Sequence, residues 1–206
     1  MSVSKTREKL IEVARGLFAH QGLEATTMND IAAASGKGRR TLYTYFRNKE
    51  EIYLAVIEEE LARLSTHMTA VLDLDLSPEE KLFKLIYTHL RTVRDTVFRN
   101  GTLRAEFFRD IWMVEKVRRA FDAEEHRVLT AILEEGVAQG RFRIPHVGLM
   151  CDIIHCTVRG LEVPYIYDRL GEGLSEDETY PMVKGILCRV LDMPDAAGGA
   201  GSAAIQ

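Results

Sequence analysis

Apolar residues recur three and four apart along almost the whole of this 206-residue chain, with no sustained two-residue alternation between them. Side chains at that spacing share one face of a helix, so the pattern predicts an all-α fold of about nine helices. Leu10, Ala14, Leu17 and Phe18 make the first stripe, and Gly22 stops it. Thr27 opens a second helix, with Asp30 at the reciprocal position of a capping box. Ile31, Ala32 and Ala34 are its small apolar body, and Gly36 ends it. A short third helix is predicted from Gly38 to Phe46, and a fourth from about Asn48 to Val71.

The later helices carry equally plain start and stop signals. Ser77-Pro78-Glu79-Glu80 combines a cap, a first-turn proline and acidic residues. Leu82, Leu85, Ile86, His89, Leu90, Val93 and Val97 then share a face up to Asn100-Gly101. A short apolar segment at 102–113 holds Phe107, Phe108 and Trp112. A long helix follows from about Val114 to Gln139, ended by Gly140. Residues 146–170 read as helix, with Pro164 expected to kink or break it. The last helix starts at Ser175 or Thr179 and reaches about Leu191. The Gly- and Ala-rich end from Pro194 to Gln206 is expected to be disordered.

The segment 39–46 differs from the rest. Arg39, Arg40, Thr41, Tyr43, Thr44 and Tyr45 crowd a helix with only Leu42 and Phe46, four apart, to hold it down. So many long polar side chains are costly to order on a bare surface. Phosphates and base edges would receive them. A helix, a tight turn at Gly36 and a second short helix follow the helix-turn-helix plan, whose second helix enters the major groove. Charge agrees with this. The chain is −4 overall, but residues 1–50 carry nine Lys/Arg against five Asp/Glu, a local +4 that leaves −8 for the remainder.

The string Thr27-Met28-Asn29-Asp30-Ile31-Ala32-Ala33-Ala34-Ser35-Gly36, followed by Thr41-Leu42-Tyr43-Thr44-Tyr45-Phe46-Arg47-Asn48-Lys49-Glu50-Glu51-Ile52, resembles the TetR family DNA-binding domain. The resemblance covers about residues 5–57. It implies an N-terminal three-helix helix-turn-helix domain (1–48), a larger helical ligand-binding and dimerisation domain (49–193) and a tail (194–206). It also implies roles for individual residues. Thr27 would meet phosphate through its hydroxyl and N–H, and Lys49 would do so with help from a helix dipole. Tyr45 would place its phenol on the DNA backbone. Arg39, Arg40, Thr41, Tyr43 and Thr44 would face the groove, with the two arginines suited to bidentate contact with guanine. Double-stranded operator DNA, a small-molecule effector and a second copy of the chain are the partners implied, and repression is the expected sign.

The acidic C-terminal part holds no Gly-rich phosphate loop, nucleophile elbow or HExxH, so an enzyme is not expected. A helical adaptor that binds protein through the Arg39–Phe46 surface is the competing reading. It differs from DNA binding in its weaker salt dependence. His89, Phe108, Trp112 and Tyr165 are candidates to line an apolar effector pocket. Val147, Ile154, Val158, Met182, Ile186, Leu187 and Val190 are candidates for a two-fold interface built as a four-helix bundle. Cys151 and His155 stand one turn apart near Cys156 and His146, but no second pair completes a ligand set. No metal or cofactor is expected, and Cys151, Cys156 and Cys188 read as reduced thiols. No apolar run approaches the roughly 18 residues of a membrane span, and the first eight residues do not read as a signal peptide. A cytoplasmic, soluble regulator is the expectation.

Overall fold

The computed structural model describes residues 3–99, 111–173 and 175–191, with the backbone alone for 3–4, 99, 111–117 and 176. Its helices are α1 (Val3–Gln21), α2 (Met28–Ser35), α3 (Arg39–Tyr45), α4 (Lys49–Thr69), α5 (Pro78–Arg99), α6 (Ile111–Ala138), α7 (Val147–Ile166) and α8 (Glu176–Val190). The described residues contain no strand. The segment around Phe107 and Phe108 and the tail after Pro194 lie outside the described residues. Two compact units divide the chain: Met1–His67 with His89–Glu124, and Met68–Thr88 with Glu125–Gln206.

In the first unit, α1 turns Leu10, Ile11, Ala14 and Phe18 inward. They meet Ile31 and Ala32 of α2, Leu42 of α3, Phe46, and Ile52, Tyr53 and Val56 of α4 in one buried core. Phe18 and Tyr53 pack edge to face, with ring centroids 6.1 Å apart. The α2–α3 turn depends on Gly36, whose φ of 65° lies in the left-handed region that side chains with a Cβ resist. That conformation lets Gly36 N–H reach Ala33 O and Lys37 N–H reach Ala32 O, which satisfies the end of α2.

In the second unit, Leu82, Phe83 and Leu85 of α5, Val128, Leu129, Ile132 and Leu133 of α6, and Ile154, Val158 and Ile166 of α7 are buried. Pro164 does not stop α7, which runs two residues past it. The proline removes the one hydrogen bond its own N–H would have donated, and the helix ends within the same turn. Ser175 caps α8, which passes through Pro181. At the end of α6, Phe142 folds over Gly136 so closely that a Cβ there would lie 2.1 Å from the ring. Gly136→Ala must therefore displace a buried ring. It should destabilise the protein by about 1–3 kcal/mol in urea unfolding.

Among the described residues, three helices start with reciprocal caps. Thr27, Ser77 and Ser175 each donate a hydroxyl and a backbone N–H to a carboxylate three residues later: Asp30, Glu80 and Glu178. These bonds hold each carboxyl below its ordinary value, through the hydroxyl foremost at Asp30 and Glu80 and the backbone N–H foremost at Glu178. A carboxyl lowered in the folded state stabilises above its ordinary value, and that contribution is lost as pH falls through the lowered one. The melting temperature should therefore drop as pH passes below the ordinary values of 3.8 for Asp and 4.5 for Glu. Asp30→Asn with Glu80→Gln and Glu178→Gln should flatten that drop in a pH series of thermal melts.

Candidate nucleic-acid interface and neighbouring cavity

Helix α3 is held by the two residues its sequence offers for the purpose: Leu42 is fully buried and Phe46 nearly so. Arg39, Arg40, Tyr43 and Thr44 are exposed, while Thr41 and Tyr45 are half-buried at the edge of the helix. The Arg39 guanidinium lies over the Tyr43 ring, 6.0 Å from its centroid. That contact restrains a long side chain without neutralising it. Thr44 donates its hydroxyl to Arg40 O, leaving its oxygen open as an acceptor. Arg7 of α1 lies over Phe46 at 5.4 Å, adding a further cation beside α3.

Thr27 and Lys49 are more engaged than their sequence reading implies. The Thr27 hydroxyl accepts from Asp30 N–H at 3.2 Å and donates to the Asp30 carboxylate at 2.7 Å. Lys49 donates its ammonium to Leu23 O at 2.6 Å and to Glu24 O at 3.3 Å. It thus clasps the α1–α2 turn to the start of α4. An ammonium has three donors, so one proton remains for another acceptor. Asn48 Oδ1 accepts Glu51 N–H and caps α4. Lys49→Met should lower the melting temperature without DNA, because it strips donors from those carbonyls. Arg40→Ala, whose side chain is exposed, should leave it unchanged.

A second feature of the first unit is an apolar cavity. Among the described residues it is lined by Ile57, Glu60, Leu61 and Leu64 of α4, Val93, Thr96 and Val97 of α5, and Arg118 and Phe121 of α6. Its empty space is about 510 Å³, the open mouth included. Two of its walls carry buried charge. Glu60 takes Arg15 Nε of α1 at 3.2 Å and Arg63 Nη1 at 3.5 Å. Arg118 lies over the Phe121 ring at 5.8 Å and 3.7 Å from the Asp122 carboxylate.

Of the sequence candidates, His89 and Tyr165 have described side chains, and neither is among these lining residues. His89 is fully buried behind the wall, with its ring 5.8 Å from that of Phe121. Phe108 and the Trp112 side chain lie outside the described residues. Tyr165 is half-buried on α7, in the second unit. Val93 and Val97, which the helical stripe of α5 already places on its inward face, contribute to the lining. Glu60 could not be found from periodicity, because a carboxylate at an inward position reads as a surface residue.

In the second unit, Ile154 and Val158 are buried within the chain and cannot form an outer face. The helix is rotated so that α7 exposes Leu149 (58%), Ile153 and Val163 instead. On α8, Met182 (65%), Ile186 (60%) and Val190 (49%) are exposed at four-residue intervals, while Leu187 and, on α7, Val147 are half-buried. The cysteine and histidine neighbours do not converge as a ligand set. Cys151 is buried and receives the Thr130 hydroxyl at 3.5 Å, with His126 Nδ1 at 3.4 Å. Burial pushes its thiol up. Cys156 is exposed. The His155 imidazole is taken by Glu125 at 2.8 Å, a partner the sequence did not reveal.

The family described as "Bacterial regulatory proteins, tetR family" matches residues 10–56. The HTH-type transcriptional repressor KstR2 of Mycolicibacterium smegmatis is 30% identical over 142 residues, spanning 66% of this chain and 67% of the relative.

This chain belongs to the TetR family.

The fold agrees over most of the length. A TetR/AcrR-family regulator from Thermobifida fusca superposes with a TM-score of 0.66 at 24% identity, covering 88% of this chain and 95% of that one. The fatty acid degradation regulator FadR from Bacillus halodurans does so with a TM-score of 0.66 at 19% identity, covering 91% and 96%. As a TetR-family member the chain is a DNA-binding transcriptional regulator, not an enzyme. No helix among the described residues is long and apolar enough to cross a membrane.

Proposed function

We propose that this regulator represses transcription as a homodimer on a palindromic operator and is released by a small, largely apolar effector. The observation that carries the DNA side is the division of α3. Leu42 and Phe46 are buried, while Arg39, Arg40, Tyr43 and Thr44 point outward. Neither exposed guanidinium meets a carboxylate among the described residues. Residues 1–48 act as the DNA-binding head and 49–193 as the regulatory part. Arg39 and Arg40 read base edges with Thr41 and Tyr43 beside them. Tyr45 and the remaining Lys49 donor engage the phosphate backbone, which sets register, while Thr44, its proton given to Arg40 O, faces the groove as an acceptor and Thr27, whose hydroxyl and N–H both go to Asp30, caps α2.

The exposed apolar faces of α7 and α8 support the dimer. Leu149, Ile153, Met182, Ile186 and Val190 would otherwise stand in water. A two-fold pair places two recognition helices about 34–36 Å apart, one DNA turn. The cavity between α4, α5 and α6 is the effector site: its walls are mostly aliphatic, with a few polar groups to orient a ligand. A ligand that prefers a different head spacing shifts the equilibrium by its differential affinity, and about 3 kcal/mol of coupling empties an operator roughly a hundredfold.

The test is selection of random duplex DNA by the purified protein, with sequencing of what is retained. Enrichment of a palindrome is expected. Weak binding without a motif would overturn the reading. On the selected duplex, Arg39→Ala should weaken binding by about 1–3 kcal/mol and relax preference at one base pair. The logarithm of affinity should fall linearly with that of salt, with a slope set by the number of phosphates engaged.

A further inference from the structure

The charged wall of the cavity does not end at the cavity. Glu60 is buried, and one of its arginine partners, Arg15, belongs to α1. Arg15 is itself buried and fans out to three carboxylates: Glu60 at 3.2 Å, Glu59 at 2.7 Å, and Glu12 on its own helix. On neighbouring faces of α1, Leu10, Ile11, Ala14 and Phe18 form the head core against which α2 and α3 are set. One carboxylate thus belongs to the cavity lining and to the ion pair that ties the head to α4.

We propose that the Glu60–Arg15 pair is the link through which occupancy of the cavity reaches the DNA-binding head. An ion pair shielded from water responds steeply to small displacements, because its attraction is screened little and each partner left alone is costly. Apolar contacts elsewhere in the wall are non-directional and tolerate a shift along the surface. A ligand that moves the Glu60 carboxylate, or turns α4 beneath it, pulls Arg15 and α1 with it. Glu59 and Glu12 hold the other two nitrogens of the guanidinium, so a shift of Glu60 repositions Arg15 without leaving its charge unpaired. Arg15 is a positioning residue. It is not among the cavity's lining residues and lies on a different helix from the groove-facing side chains, so its substitution separates coupling from binding at either end.

The inference rests on the reading of the cavity as the effector site, and the experiment distinguishes the two. Anilinonaphthalene sulfonate, an apolar fluorescent probe, is titrated into the free protein and into protein saturated with the selected operator duplex. Coupling is reciprocal, so if occupancy disfavours DNA, DNA must disfavour the probe by the same factor. In the unaltered protein, operator should weaken probe binding by roughly fivefold or more. In Arg15→Met the probe should bind the free protein as before, while the operator effect shrinks to within about twofold. Arg15→Lys should recover part of the effect. Should Arg15→Met fail to fold, as melting will show, Arg15→Gln carries the test: it lies outside the cavity lining, keeps polar donors toward the carboxylates and should also lose the operator effect. An operator effect undiminished in these variants overturns the link and leaves the effector site standing. Probe binding that survives Val97→Phe, which fills the cavity, overturns the effector-site reading and the link with it.

Discussion

Burial of Leu42 and Phe46 in the head core is the constraint on which the DNA-facing surface depends. Leu42 lies in the middle of a helix only seven residues long, and Phe46 is the extended residue that ends it. A helix of that length has little stability of its own. Its orientation about its axis is therefore set by where those two side chains are seated. Once they are fixed, Arg39, Arg40, Tyr43 and Thr44 face outward as a geometrical consequence. Weakening the anchor by Leu42→Ala would cost about 2–5 kcal/mol and would disorder the reading surface before any DNA contact was lost.

The connections into this small core are made with polar chemistry. Gly36 reverses the chain after α2, Asp30 and Thr27 cap its start, and the Lys49 ammonium closes the α1–α2 turn. Arg15 joins α1 to α4 through Glu59 and Glu60. Each of these interactions is directional, whereas the apolar contacts beneath them fix only proximity. The head is consequently defined by a few angular restraints laid over a modest core. Such an arrangement suits an element whose setting relative to α4 is to be adjusted rather than frozen.

Much of this was legible in the residues. Caps and stops act within four residues of chain, so Thr27–Asp30, Gly36 and Ser77–Glu80 marked helix boundaries correctly, while the start of α8, open between Ser175 and Thr179 in the sequence, is fixed by the Ser175–Glu178 cap. The helical period identified Leu42 and Phe46 as the anchor of α3 because no other apolar residue competes there. The rotation of α7 was less legible. Apolar residues occupy more than one of its faces, so the pattern could not choose between the side of Ile154 and Val158 and the side of Leu149 and Ile153. Packing within the chain made that choice. Pro164, expected to kink or break the helix, stands two residues before the end of α7.

What the sequence determined by itself is therefore the local grammar of the protein: an all-helical chain, the order of its helices, the helix-turn-helix and the side chains it offers to DNA. Tertiary structure alone decided which residues surround the cavity, that Lys49 clasps a turn, and that Glu60 and Arg15, 45 positions apart, share a buried ion pair. The physical reason is range. Capping, helical period and turn geometry are fixed by bonds spanning a few residues, whereas a cavity or a buried charge pair exists only once distant helices have taken their places.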